Sequence, residues 1–215
     1  MSTVSYDTFL SEVVPYVRDC PEFVAINAIR NACIEFCEKT LYLRQQVEDI
    51  TVVSGQAVYD IGLSSIHTSV ACVVSATLGR YPLVPRQEQD LVELYGGDWR
   101  TLRGAVQHIT QDELDTVRLV LVPDRVYTDP LRLIAALRPM RTSTSIDRRI
   151  FESWAEVIGF GARARLHNTP GQPYNDEAAG AKFRVWFESG CSKATIAANK
   201  GLGRATLVVR PQRFY

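Results

Sequence analysis

The sequence predicts an α+β protein: N- and C-terminal helices form a bundle, a small antiparallel β domain is inserted between them, and an extended C-terminal arm follows. Three observations support this. Apolar residues recur every three or four positions near both ends of the chain, as in amphipathic helices. In the middle they alternate with a period of two, as in strands. The last residues follow a glycine-containing helix stop. The predicted units are a helical domain (1–46 and 141–200), a β-rich insert (47–140) and the arm (201–215).

Two helices separated by a proline are predicted at the start of the chain. The first runs from Ser5 to about Arg18, and Cys20-Pro21 ends it, because proline disfavours helix in the preceding residue and suits the first turn of the next helix. The second runs from Glu22 to about Leu43. Its predicted apolar face consists of residues spaced three and four apart, namely Ile26, Ile29, Cys33, Phe36, Cys37 and Thr40.

Strands are predicted in the middle of the chain. Ile50–Val53 and Ala57–Ile61 flank Ser54-Gly55, which predicts a hairpin with a glycine turn. A helix is predicted at Gln87–Tyr95. Further strands are predicted at Val70–Leu78, Thr116–Val122 and Leu131–Leu137, with turn residues Pro123-Asp124-Arg125 between the last two.

Helical spacing returns after Asp147, which is a predicted N-cap. The helix that follows should run to about Leu166, and the last helix from about Asn175 to Ala198. Their predicted buried stripes are Phe151, Trp154, Ala155, Ile158, Ala162 and Leu166, then Ala179, Phe183, Trp186, Phe187, Gly190, Ala194 and Ala197. We expect the N- and C-terminal helices to pack on each other.

Composition narrows the possible classes of protein. The 24 basic and 24 acidic residues give a net charge of zero, so bulk attraction to nucleic acid is not expected. Five scattered cysteines do not suggest a secreted disulfide framework. The start of the chain lacks the pattern of a signal peptide, and no stretch is predicted to cross a bilayer. We therefore expect that the protein does not associate with a membrane and that it resides in a reducing cytoplasm until it assembles with a partner.

A search for chemistry predicts no catalytic, cofactor or metal site. Cys33 and Cys37 have metal-ligand spacing, but no histidine shares a motif with them, so we interpret them as buried helix residues. The acidic run at residues 112–115 is interpreted as a solvated turn. Trp154 and Trp186 are predicted core residues. Trp99, which follows Gly96-Gly97-Asp98, could equally lie at an interface.

The C-terminal arm is the predicted binding segment. Ser189–Tyr215 contains no acidic residue and carries five basic ones, while Ala205–Val209 favours an extended state. Such a segment has too little apolar surface to fold alone, so we expect it to insert into a partner. The residues predicted to bind that partner are Arg204, Leu207, Val209, Arg210, Arg213, Phe214 and Tyr215.

Four passages, in this order, resemble the head-to-tail adaptor proteins of tailed bacteriophages, which are also called connector or head-completion proteins. The first is a short helix, a Cys-Pro break and a long helix, FLSEVVPYVRDCPEFVAINAIRNACIEFCEKT at 9–40. The second is ITVVSGQAVYDI at 50–61. The third is LVLVPDRVYTDPLRLIAALRP at 119–139, and the fourth is FESWAEVIGFGARARLHNTPGQPYND at 151–176. The likeness spans nearly the whole chain.

This resemblance implies a structural virion protein located at the head-tail junction. About twelve copies would form a homo-oligomeric ring, a closed rotational assembly of identical subunits. The arm would engage the portal protein, the opposite face would receive a tail or nozzle protein, and genomic DNA would pass through the channel during retention and ejection. Members of this family need neither catalytic residues nor cofactors.

Three other hypotheses remain open from the sequence. The first is another tail-completion or tail-tube component of the virion, which would cross-link to tail subunits and not to portal. The second is a small cytoplasmic enzyme, which would need a pocket with convergent polar groups. The third is a nucleic-acid-binding module, which would bind duplex DNA with a steep salt dependence.

Overall fold

Helices pack against a curled seven-stranded sheet in the computed structural model, which describes residues 2–62 and 67–200. The α-helices are α1 (Glu22–Thr40), α2 (Glu88–Tyr95), α3 (Arg148–His167) and α4 (Glu177–Lys200). The strands are β1 (Thr3–Ser5), β2 (Arg44–Gln46), β3 (Val58–Asp60), β4 (Thr68–Leu78), β5 (Tyr81–Pro85), β6 (Arg103–Gly104), β7 (His108–Thr110), β8 (Thr116–Val120), β9 (Val122–Pro123), β10 (Leu131–Pro139) and β11 (Ser145–Asp147).

The main sheet has the order β2-β10-β4-β5-β7-β8-β3. Neighbouring strands of this sheet are antiparallel, except for β5 and β7, which are parallel. These two strands can run in the same direction because the connection between them is long and contains α2. Two small two-stranded sheets pair β1 with β11 and β6 with β9. The long strand β10 pairs with β2 on one side and β4 on the other, and α1 packs against it. This strand therefore links the sheet to the helices.

The predicted fold class is wrong in its proportions. A helical bundle carrying a small antiparallel β domain was expected, whereas about 26% of the chain is strand and one large sheet dominates. The physical reason is burial: one hydrophobic core contains Phe36 of α1 together with Leu133 of β10 and Val117 of β8. Helices and sheet thus cover each other's apolar faces. The division into domains stays a prediction.

The predicted hairpin at 50–61 does not form. Ile50 makes an isolated bridge to Leu131, and β3 pairs with β8. The Gly55 turn is present with a φ of 82°, but its N–H donates to the carbonyl of Pro123 at 2.8 Å. Likewise β8 and β10 flank the turn at 123–125 without pairing with each other. Each segment bonds to a strand that is distant in sequence.

The predicted helices are confirmed, with one change of type. The first segment is two 3-10 helices, Tyr6–Glu12 and Val14–Tyr16, and Pro15 cannot donate the amide hydrogen that a continuous helix would need. Asp147 caps α3 by accepting a hydrogen bond from the Arg149 N–H at 2.9 Å. Within the described ranges, no helix has both the length and the apolar character to cross a bilayer.

Three helices meet at Gly161. A Cβ atom built there would lie 2.8 Å from the ring of Phe187 on α4 and 3.0 Å from the Cβ of Ala32 on α1. Both distances are too short for a real side chain to be accommodated without movement. Glycine at this position therefore sets how closely α1, α3 and α4 approach.

Candidate interaction surfaces

The seven residues predicted to bind a partner lie outside the described residues, since the description ends at Lys200. Their attachment point is described. Helix α4 buries Phe187, Cys191 and Ala194 against the body of the protein. Asn199, in the last turn of α4, accepts a hydrogen bond on its side-chain oxygen from the Arg44 guanidinium at 2.9 Å. The predicted arm therefore begins from a helix end that is fixed beside the edge strand β2.

Glu35 on α1 is the centre of a charge network. Its carboxylate accepts hydrogen bonds from Arg165 of α3 at 2.6 Å and from Arg184 of α4 at 2.5 and 3.1 Å. Lys39, one turn along α1, approaches to 3.0 Å, and both Lys39 and Arg184 also pair with Glu188. The Glu35 side chain is only 15% exposed. One carboxylate thus joins three helices.

Partial burial acts to raise the pKa of Glu35, but hydrogen bonds from Arg184, Lys39 and Arg165 outweigh it and lower the pKa to about 2. The carboxylate is therefore ionised throughout the physiological pH range, and the three cations around it are held in place.

Beside this network is a cleft of about 760 Å³, within the range of about 300–1,000 Å³ typical of ligand-sized sites. We call it the arginine cleft. Its charged lining consists of Glu35, Glu38, Arg138, Arg141, Arg165 and Arg184. Four arginines and two glutamates leave two positive charges in excess. Its apolar lining includes Ile34 and the exposed Met140.

Arg141 carries the least compensated charge of the arginine cleft. Glu38 pairs with Arg138, and Glu35 pairs with Arg165 and Arg184. The Arg141 guanidinium is exposed, and no carboxylate among residues 2–62 and 67–200 forms an ion pair with it. The backbone carbonyl of Arg141 accepts a hydrogen bond from Arg30 at 3.0 Å. The cleft can therefore attract an anionic group at Arg141 without breaking an existing ion pair.

Helix α2 projects from the far half of the sheet on a small core of its own. Leu91 and Trp99 pack with Val120 of β8, and Trp99 is 2% exposed. The Arg100 guanidinium stacks 4.6 Å from the Trp99 ring centre and also pairs with Glu88 and Asp112. Trp99 is therefore an anchor for α2, which decides between the two roles left open from the sequence.

The chain in this projection is rich in carboxylates. Residues 87–98, which we call the acidic tip, contain Glu88, Asp90, Glu93 and Asp98 and no lysine or arginine. At 100° per residue, Glu93 lies on the side of α2 opposite to the buried Leu91. Val92 and Leu94 flank it and are 44% and 55% exposed. The tip thus combines carboxylates with accessible apolar side chains.

Cys33 and Cys37 lie in the core, and the acidic run at residues 112–115 is held by ion pairs. Cys33 and Cys37 are free and buried, and burial raises the pKa of Cys33 well above its usual range. No group of three or more potential metal ligands occurs within the described part of the chain. Asp112 accepts hydrogen bonds from Arg100 at 3.1 Å and Arg118 at 2.9 Å. That turn is therefore tied by ion pairs to β8 and to Arg100 in the segment that follows α2.

One predicted core tryptophan lies at the surface. Trp154 is partly buried and its ring centre is 5.9 Å from that of Phe36. Trp186 is instead 41% exposed, with the Lys182 ammonium 4.8 Å from its ring centre. It contacts Phe160 and Phe183 on the outer side of α3 and α4. The prediction for Trp186 is wrong because the buried stripe of α4 passes through its neighbour Phe187.

Sequence reasoning found neither the arginine cleft nor the acidic tip as a site. The cleft draws its arginines from β10, α3, α4 and the segment after β10, so no local motif contains them. A usable signal was Arg138-Pro139-Met140-Arg141, in which basic residues flank an apolar pair at a strand end. For the tip, the signal was four carboxylates in twelve residues without a basic residue.

No protein-family model and no curated protein sequence matches the chain.

Proposed function

We propose that the chain is a head-to-tail adaptor of a tailed bacteriophage, a structural virion protein without catalytic activity. About twelve copies form a ring between the portal and the tail, as rotational closure of one heterologous contact allows. The C-terminal arm engages the portal protein, the opposite face receives a tail or nozzle protein, and genomic DNA passes through the channel. Before assembly the protein resides in the host cytoplasm.

The observation that carries this proposal is the acid-free basic sequence that starts at Ser189 in α4 and continues to Tyr215. In α4 the basic residues Lys193 and Lys200 belong to a helix that is packed on α1 and α3. The remaining fifteen residues span at most about 50 Å if fully extended, which is enough to reach into a neighbouring subunit. A fixed helix end followed by a long basic segment suits attachment to a larger acidic partner.

Multiple copies make such an arm effective even when each contact is weak. In a ring, docking of one arm raises the effective concentration of the others, so overall affinity exceeds that of a single arm. The basic residues Arg204, Arg210 and Arg213 provide charge-assisted contacts, and Phe214 and Tyr215 provide apolar contact area at the end.

Deletion of residues 202–215 tests this role. The truncated chain should keep its circular dichroism spectrum and melting temperature, since it retains every core residue of the described part of the chain, but bind the portal protein of the same phage at least about tenfold more weakly. A full-length control with Arg80→Gln, an exposed change outside the arm, should bind normally. Binding of the truncated chain at wild-type affinity would refute the arm's role. Arm cross-links to tail subunits alone would favour another tail component.

A further inference from the structure

We infer that the arginine cleft of one copy receives the acidic tip of a second copy, which makes this pair of surfaces the heterologous contact between subunits. The inference deepens the proposed ring and rests on it for its biological setting. Its physical basis lies within the described residues and does not involve the C-terminal arm.

Charge complementarity is the first argument. The cleft has two positive charges in excess, and its Arg141 has no carboxylate partner within the described chain. The tip carries four carboxylates. Glu88 and Asp90 are paired with Arg100 and Arg86, which flank the tip, and this leaves Glu93 and Asp98 exposed and available. Bringing Glu93 to Arg141 therefore satisfies two exposed charges and breaks no ion pair that exists in the single copy.

Shape and apolar surface are the second argument. Helix α2 has eight residues and is about 12 Å long, so its outer turn is of the size that a cleft of about 760 Å³ can take. Val92 and Leu94 stand on either side of Glu93, and the cleft offers Met140 and Ile34 as apolar partners. An interface with a small apolar centre and charged surroundings is typical of specific protein contacts.

The two surfaces are different parts of the chain, which determines the kind of assembly. The arginine cleft is built from α1, α3, α4 and the start of β4 with the end of β10, while the tip belongs to the connection between β5 and β7. A contact that joins unlike surfaces leaves a free cleft at one end and a free tip at the other. It can therefore repeat and close into a ring, unlike an isologous dimer contact.

A charge-reversal cycle on the full-length protein tests the contact. Sedimentation velocity over a concentration series up to the millimolar range should show self-association of the wild type that weakens with added salt. Arg141→Glu and Glu93→Arg should each weaken association about tenfold or more, because each places like charges together. The double variant restores an opposite-charge pair and should recover most of the wild-type association.

Controls separate this contact from folding and from the adaptor role. Arg80→Glu makes the same charge change at an exposed residue on the β4–β5 turn and should leave association unchanged. All variants should keep the wild-type melting temperature, since Arg141 and Glu93 are exposed and unpaired within the described ranges. A wild type that stays monomeric throughout, or a double variant no better than the singles, would overturn the inference. The inference would also be overturned if Arg141→Glu changed only the binding of duplex DNA and left self-association unchanged. Portal binding by the arm is measured separately with the chain that lacks residues 202–215, so the two proposals can fail independently.

Discussion

Glu35 connects three helices, because it lies where α1, α3 and α4 converge. A partly buried carboxylate costs desolvation free energy, and this cost is offset only when cations and hydrogen bonds are close. Arg165 and Arg184 supply them from two other helices, and Lys39 from the same helix. Loss of the carboxylate would leave Arg165 without its ion-pair partner and leave Lys39 and Arg184 with Glu188 alone.

Glu35→Gln should lower the free energy of unfolding by roughly 1–3 kcal/mol, as expected for loss of charged hydrogen bonds at a partly buried site. The pKa of Glu35 is lowered from its usual 4.5 to about 2 in the folded protein. The contribution of the Glu35 carboxylate to the free energy of unfolding is therefore complete above pH 4.5 and is lost as the pH falls towards 2. Urea denaturation at pH 7 and at several acidic pH values measures this dependence.

Glu152→Gln is the matched control for this substitution. Glu152 forms an ion pair with Arg148 on the exposed surface of α3, and exposed pairs contribute little. Its replacement should change the free energy of unfolding by less than about 0.5 kcal/mol at pH 7. Equal effects of the two substitutions would contradict the role assigned to Glu35.

Among the elements, the junction of α1, α3 and α4 depends on close packing at Gly161. Gly161→Val should destabilise the protein by about 1–3 kcal/mol, because the added methyl groups would meet Phe187 and Ala32. Gly97→Ala is a suitable control, since a Cβ atom at Gly97 meets nothing within 4 Å. Thermal unfolding of both variants gives the comparison. A Gly161→Val melting temperature equal to that of wild type would show that the helices can separate at little cost.

The elements show which parts of this fold can be predicted from sequence. Helices α1, α3 and α4 and strand β10 carry periodic apolar patterns over many residues, and these were predicted. The pairing of β3 with β8 and of β2 with β10 was not, because strand pairing depends on contacts far apart in sequence. Strand β2 has only three residues, which is too few for a pattern. The error in fold class follows directly from these missed pairings.

In the whole molecule, the binding surfaces were less predictable than the fold. The basic arm is visible in sequence because its residues are contiguous, yet it lies outside the described residues. The arginine cleft is the reverse case, since folding brings Arg138, Arg165 and Arg184 together from three separate elements. Neutral overall composition conceals this separation of charge. A net charge of zero is therefore compatible with strongly complementary patches.

Quantitative mass spectrometry of purified virions of the phage that the proposal implies tests the central claim most directly. An adaptor that forms a ring under the portal should be present in mature particles at a fixed ratio of one copy per portal subunit. That result would establish a structural ring component and leave its neighbours to be mapped by cross-linking. Absence of the protein from mature particles would contradict the adaptor role and return attention to an enzyme or a nucleic-acid-binding module.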